Sequence, residues 1–335
     1  MKNYILAIES SCDDSSIAII DKDSFKCIFH QKISQEKEHS LYGGVVPELA
    51  ARLHTKALTN ILKECQVFFD KLCAIAVTNE PGLSVSLIGG ISMAKILALS
   101  LHLPLIAVNH LKGHIYSLFL ENKLKFDMGI LLVSGGHTMN LKIDEKGFIH
   151  ILSKTLDDSF GESFDKVAKM MNLGYPGGAI IESLAQKASK KDIHFSVPLL
   201  HSKGLDYSFS GLKNAVRLEL LKYEQIDENL KSEIAFGFEE CAISHILNKL
   251  EKIFAEHKFK SFGVVGGASA NLKLRQKLML LCEKYNCELL LAPLKYCSDN
   301  ALMIARAACD SYEKKEFVRI EDDILSPKSK HFDRI

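Results

Sequence analysis

Two histidines four residues apart, His110 and His114, follow the apolar run LIAV. If that segment is helical, both imidazoles leave one face and can share a metal ion. With 13 histidines in 335 residues, chance alone gives about half of one such pair per chain. Position therefore carries more weight than spacing. The pair lies just past the carboxyl end of a predicted buried strand, where open α/β sheets bind ligands. The plain alternative is two solvated histidines at a helix start. The H-E-x-x-H pattern of zinc proteases is not met, because Leu111 stands where its glutamate belongs. Far along the chain, Ser298-Asp299-Asn300 precedes a predicted helix. Asp299 either caps that helix or, with candidate cappers on both sides, is free to supply the oxygen ligand that two histidines lack.

Three turns carry a second set of candidates. Ser134-Gly135-Gly136-His137-Thr138 has glycines that let backbone N–H groups approach an anion, although an ordinary hairpin turn reads the same way. Gly266 to Asn271 (GGASAN) follows the strand-like FGVV and opens a predicted helix, which suits a nucleotide's ribose or phosphate at a helix N-terminus. Ala268 breaks the dinucleotide fingerprint and no P-loop motif exists, so neither of those folds is supported. Asp157, Asp158, Glu162 and Asp165 then form an acidic helix start beside Tyr175-Pro176-Gly177-Gly178, a combination that a solvated helix end also explains. No Ser-His-Asp order, G-x-S-x-G elbow or activated cysteine can be defended.

The elements that must position these residues follow from hydrophobic patterning. Tyr4–Ile8 and Ser16–Ile20 are apolar runs around the polar turn ESSCDDSS, and Gly129–Val133 and Met139–Ile143 repeat that plan around SGGHT. The repeat predicts an internal duplication: two similar α/β domains facing each other across a cleft. Helical spacing of Val46, Leu49, Ala50, Leu53, Ala57, Ile61 and Cys65, with Pro47 in the first turn, predicts a helix. Strands are predicted at 74–78, 105–108, 262–265 and 288–291. Helices are predicted at 84–100, 162–172, 212–223, 233–257, 272–285 and 300–312. The tail SPKSKHFDRI reads as mobile.

A length of 335 residues fits about two domains. A hydrophobic fraction of 47% with 25% charged residues excludes a disordered or collagen-like chain. The formal charge of +1 excludes a strong global attraction to nucleic acid or acidic membrane. Any nucleic-acid surface must be local, and Lys328, Lys330, His331 and Arg334 form one visible basic cluster. The longest apolar run noted, 96–108, is too short to span a bilayer, and the N-terminus lacks a signal h-region, so a cytoplasmic protein without a membrane role is expected. Nine cysteines without a C-x-x-C are expected as reduced thiols.

Nine ordered segments resemble the TsaD family of tRNA N6-adenosine threonylcarbamoyltransferases, once described as O-sialoglycoprotein endopeptidases. They are IESSCDDSS, HSLYGGVVPELAARLH, NHLKGH, LLVSGGHT, DDSFGESFDKVAK, YPGG, DYSFSGLK, GGASAN and CSDNALMIA. The resemblance implies duplicated actin/Hsp70/sugar-kinase-like (ASKHA) domains, placed at 1–108 plus 306–335 and at 109–305, the latter with the metal and adenylate site. It implies one divalent metal ion, Fe(2+) or else zinc, on His110, His114 and Asp299. It further implies that Val133, Ser134, Gly135, Gly136 and His137 face the phosphate of threonylcarbamoyl-adenylate. Asp165, Gly178, Glu182 and Asn271 would then surround its adenosine part. Glu9 and Asp13 would orient the metal, a water or the incoming amine. The implied reaction moves the threonylcarbamoyl group to N6 of adenosine 37 in tRNAs reading codons that begin with A, releasing AMP. Implied partners are tRNA, the smaller paralogue TsaB, the P-loop ATPase TsaE and an upstream adenylate synthase. A nucleotide-binding ATPase or regulator of the same fold is the alternative, with a metalloprotease third. One departure stands out: Glu80-Pro81-Gly82-Leu83 replaces the usual G-P-G-L, putting a carboxylate where the family carries glycine.

Overall fold

The computed structural model describes residues 2–335. Along the chain run β1 (Tyr4–Glu9), β2 (Asp14–Asp21), β3 (Cys27–Ser34), α1 (Glu36–Ser40), α2 (Pro47–Cys65), β4 (Leu72–Glu80), α3 (Ser84–Leu101), β5 (Leu105–Asn109) and α4 (His110–Tyr116). There follow β6 (Met128–Val133), β7 (Thr138–Ile143), β8 (Ile149–Lys154), α5 (Phe160–Met170), α6 (Gly177–Ala185), α7 (Ser210–Leu220) and α8 (Glu228–Glu256). The last elements are β9 (Ser261–Val265), α9 (Leu272–Lys284), β10 (Glu288–Leu291) and α10 (Ala301–Glu313).

These elements form two compact units, Met1–Lys125 with Asp299–Ile335, and Phe126–Ser298. The boundaries differ from the expected 108 and 306. Arg306 on α10 explains the shift, because it donates to the carbonyls of Phe119 (3.0 Å) and Asn122 (3.1 Å) and binds the segment after β5 to the first unit. His110, His114 and Asp299 therefore belong together in the first unit, not in the second as expected.

Each unit has one five-stranded sheet, ordered β3-β2-β1-β4-β5 in the first and β10-β9-β6-β7-β8 in the second. In the first, β1, β2 and β3 pair antiparallel while β4 and β5 add in parallel. In the second, β6, β7 and β8 pair antiparallel while β9 and β10 add in parallel. The duplicated plan suggested by the two hairpins is thus present in the topology. The central strands are continuous apolar runs because helices cover both faces of a parallel segment. Every residue of β4 and of β6 is buried.

Helix α2 begins with Pro47 in its first turn and buries Ala50, Ala57, Ile61 and Cys65, as its spacing predicts, and Leu58 besides. Helix α3 is 18 residues long and, by length and composition alone, apolar enough to cross a membrane. It exceeds the 96–108 run taken from the sequence, because Lys95 interrupts the pattern while its ammonium reaches the Asp322 carbonyl at 2.7 Å. Its inner side, including Leu87, Ile91, Ala94 and Ala98, is buried in the first unit's core. The tail is not free. Val318 bridges to Leu105, Ser326 N donates to the Asn79 carbonyl at 3.1 Å, and Asn79 Nδ2 donates to the Ile324 carbonyl at 2.9 Å. These contacts satisfy backbone groups at the end of β4, and the tail SPKSKHFDRI is anchored there through Ser326 and His331. Among the described residues the cysteines form no disulfide, and seven of them are buried.

Candidate functional site

The first unit gathers His110, His114 and Asp299 so that one ligand atom from each lies within 4.8 Å of the others. Asn109 caps α4 through its Oδ1, which accepts from the N–H groups of Leu111 (2.9 Å) and Lys112 (3.3 Å). His110 and His114 then project from one face, with ring centroids 4.6 Å apart. Gly113 sets how closely α4 approaches α10, since a Cβ there would stand 2.6 Å from Ile304 Cδ1. Asp299 immediately precedes α10, and Asn300 provides the cap by accepting from Met303 N at 3.1 Å. The alternatives left open for Asp299 resolve accordingly: it is free of capping, with Oδ1 3.4 Å from His110 Nε2 and 3.2 Å from His114 Nε2.

Glu9 ends β1 and lies fully buried behind His110, with Oε2 3.2 Å from His110 Nδ1. Ser11 N donates to Glu9 Oε1 at 2.6 Å, and Thr78 Oγ1 donates to Glu9 Oε2. Burial alone would depress the His110 imidazolium, yet Asp299 and Glu9 hold it well above the ordinary histidine range. Burial would likewise raise both carboxyls, but the neighbouring His110 keeps Glu9 low and, with His114, keeps Asp299 well below the usual carboxylate range. His114 moves down, chiefly through burial. Its Nδ1 has no hydrogen-bond partner among the described residues, while its Nε2 faces Asp299 Oδ1 at 3.2 Å. Two buried imidazoles and a carboxylate whose ligand atoms converge within 4.8 Å are a donor set that fits a divalent transition ion. Asp13 sits half-buried in the turn after β1, where its carbonyl accepts from Gln35 N.

In the second unit the remaining candidates form one connected rim. Val133 ends β6, and the Ser134–His137 turn follows it with Gly135 and Gly136 exposed. Ser134 Oγ accepts from Gly136 N (3.3 Å) and His137 N (3.0 Å), so two of the turn's N–H groups already have a partner. Ser159 caps α5 in a capping box with Glu162 and donates its hydroxyl to the Gly135 carbonyl at 2.8 Å, which docks α5 on the turn. Asp165 accepts from Gly177 N at 2.7 Å and so fixes the start of α6. Gly178, next along, has open space where a side chain would stand. Glu182 on α6 accepts from Leu272 N at 2.7 Å, reaching the start of α9. Asn271 caps α9 by accepting from Leu274 N at 2.7 Å and donates to Glu239 Oε1 at 2.8 Å. The rim thus joins the turn to the starts of α5, α6 and α9, whose N-termini favour an anion.

Sequence reasoning missed Glu239 and Ser159. Glu239 is a buried carboxylate whose pKa burial raises, and within a predicted amphipathic helix it reads as part of the polar face. Ser159 was legible as the first member of S-x-x-E before an apolar run. The motif DYSFSGLK also finds its partner here: Asp157 accepts from Ser208 Oγ (2.6 Å), Phe209 N (2.8 Å) and Ser210 Oγ (2.7 Å).

The repeated strand plan defines an α/β protein of the ASKHA-like class. The chain is similar in fold to HypF of T. kodakarensis, with a TM-score of 0.63 and 14% identity over 96% of this chain and 49% of that one. It is also similar to component A of (R)-2-hydroxyglutaryl-CoA dehydratase from Acidaminococcus fermentans, with a TM-score of 0.56 and 13% identity over 93% and 99% of the two chains. The family model for TsaD, tRNA N6-adenosine threonylcarbamoyltransferase, matches residues 26–306. A relative of that name in Campylobacter jejuni subsp. jejuni serotype O:23/36 (strain 81-176) is 71% identical over 335 residues, covering all of both chains. Another so named, in Campylobacter concisus (strain 13826), is 61% identical over 325 residues, 97% of each chain. The chain belongs to the tRNA N6-adenosine threonylcarbamoyltransferase family and is a transferase.

Proposed function

We propose that the chain transfers the threonylcarbamoyl group of threonylcarbamoyl-adenylate to N6 of adenosine 37 in tRNAs reading codons that begin with A, releasing AMP. Family membership along the whole chain supports the reaction. The observation that carries the metal-assisted form of it is the trio His110, His114 and Asp299, with the Nε2 atoms of both histidines converging on Asp299 Oδ1. A bound divalent ion, iron(II) in this reading with zinc as the other candidate, would supply Lewis acidity toward a substrate oxygen. His110 and His114 would hold it through Nε2 and Asp299 through Oδ1. Glu9 Oε2 accepts a hydrogen bond from His110 Nδ1–H, fixing the ring's tautomer and direction. Asp13, in the same turn, faces the incoming amine or a water.

The Val133–His137 turn faces the adenylate phosphate. An anion arriving there draws Gly136 N away from Ser134 Oγ, the longer of that hydroxyl's two bonds. Asp165 and Glu182 offer carboxylate oxygens to ribose hydroxyls, Gly178 leaves room for the nucleoside, and Asn271 closes the rim. The amine N6 attacks the carbamoyl carbon, the bond to the AMP oxygen breaks with its electron pair, and the amine loses a proton. The adenylate is already activated, so no covalent intermediate on the protein is needed. Leu111, buried in the core, gives a protease reading no carboxylate.

The reading extends to partners. A smaller paralogue, TsaB, docks on the first unit, and a P-loop ATPase, TsaE, and an adenylate synthase act with it in the cytoplasm. What supports a protein partner is the outer face of α3, where Val85, Ile88, Ile96 and Leu99 stand exposed at helical spacing. The test is reconstitution from purified proteins with tRNA and threonylcarbamoyl-adenylate, reading threonylcarbamoyl-adenosine by mass spectrometry of digested tRNA. His110→Ala with His114→Ala should lose bound metal and product together. Wild-type metal content in that double variant would overturn the metal assignment, and no modified nucleoside from the wild-type reaction would overturn the function.

A further inference from the structure

Glu80 ends β4 and is 1% exposed. A register shift between β4 and β5 pairs it directly with Asn109, the last residue of β5. Its Oε1 accepts from Asn109 Nδ2 at 2.9 Å and from His331 N at 2.6 Å, while Oε2 lies 3.3 Å from His331 Nδ1. Asn109 Nδ2 donates a second time, to Ser329 Oγ at 2.7 Å. The other end of the same amide caps α4, and the first residue of α4 is His110. One buried carboxylate therefore fixes the amide whose oxygen sets the start of the histidine-bearing helix. The same carboxylate clamps the chain's tail beside it.

Asn79 also holds the tail here, through Ser326 N and the Ile324 carbonyl, but among the described residues Glu80 is the carboxylate bonded to the Asn109 amide. Ser329 offers the amide a hydroxyl from a tail segment held on one side by Ser326 N on the Asn79 carbonyl and on the other by His331 N on Glu80. Pro327 accepts from Gly82 N only at 3.4 Å. A glycine at position 80 could make none of these bonds. The geometry points to Glu80 as a positioning residue for the metal-holding helix, acting through Asn109 on the direction of His110 and His114. This inference rests on the metal reading above and deepens it. Partners that orient ligating histidines change metal affinity by about 10- to 100-fold when removed. Glu80 works one residue further away, so the lower end applies.

The test uses the full chain with zinc(II) as probe, competed by a chromophoric chelator, and amide hydrogen exchange at Leu111 and Lys112. Glu80→Ala should bind zinc about 10-fold more weakly and exchange faster at both amides. Glu80→Gln should restore both readouts. Its Oε1 can accept from Asn109 and His331 N, and its amide can donate to His331 Nδ1. In an Asn109→Ser background, which keeps a capping oxygen but cannot reach Glu80, Glu80→Ala should have no further effect. That comparison separates positioning from general stability, and it stands if the single alanine variant melts early. Wild-type zinc affinity and exchange in Glu80→Ala, or equal losses in both backgrounds, would overturn the inference. If His110→Ala binds zinc as wild type does, the metal reading fails instead, and the exchange data alone decide the role of Glu80.

Discussion

Gly136 and Gly266 lie on the same rim, yet adding one methyl group should move them in opposite directions. A Cβ at Gly136 meets nothing within 4 Å, and its backbone is not left-handed. Alanine therefore fits without strain, and the less flexible unfolded chain stabilises the fold by about 0.4–1 kcal/mol, raising Tm by about 1–4 °C. Gly266 has φ +95° and its Cβ would lie 2.2 Å from the Val133 carbonyl oxygen. Left-handed strain costs about 1–3 kcal/mol. Displacing the end of buried β6 costs about as much again, so Gly266→Ala should lower Tm by several degrees. If the turn holds a phosphate, the new methyl at 136 enters the ligand's space. Overlap of about 1–3 kcal/mol then weakens AMP or adenylate binding by about 5- to 150-fold. Differential scanning calorimetry and titration calorimetry on the same preparations read both effects. A Gly136→Ala protein that melts higher than wild type and binds AMP equally well would remove the turn from the site.

His245 is fully buried, accepts from Ser208 N at 3.1 Å, and burial lowers its pKa to about 4. Between that value and the ordinary 6.5 the unfolded chain binds the extra proton. Stability is therefore full above pH 6.5 and falls as pH drops toward 4, by about 2 kcal/mol between pH 7 and 5. Urea unfolding should show His245→Gln losing that share of the pH dependence, and an identical slope would refute it. On α3, Ile96→Glu with Leu99→Glu changes two exposed side chains and should shift the isolated chain's stability by less than about 0.5 kcal/mol each. The same pair should abolish assembly with the small paralogue in size-exclusion chromatography. Wild-type assembly would move the partner to another face.

What could be read from the sequence divides by the range of the interaction that specifies it. The hairpins β1/β2 and β6/β7 were legible because an apolar run, a polar turn and a second run are contiguous. Strands β3 and β8 were not, because each lies at a sheet edge and mixes polar with apolar residues on partly exposed faces. His110 and His114 were visible as a local pair, whereas Asp299 stays open between cap and ligand, since nothing local says that Asn300 takes the cap. The tail was misread for the same reason. Its composition is that of a solvated segment, but its order comes from backbone groups meeting Asn79 and Glu80 on a distant strand. Glu80 shows the limit most sharply. The sequence reveals it as a departure from G-P-G-L, and a carboxylate in a tight loop suggests only a disturbed turn. Its partner His331 lies 251 residues away, so only the folded chain shows that the substitution adds a clamp at the cap of α4.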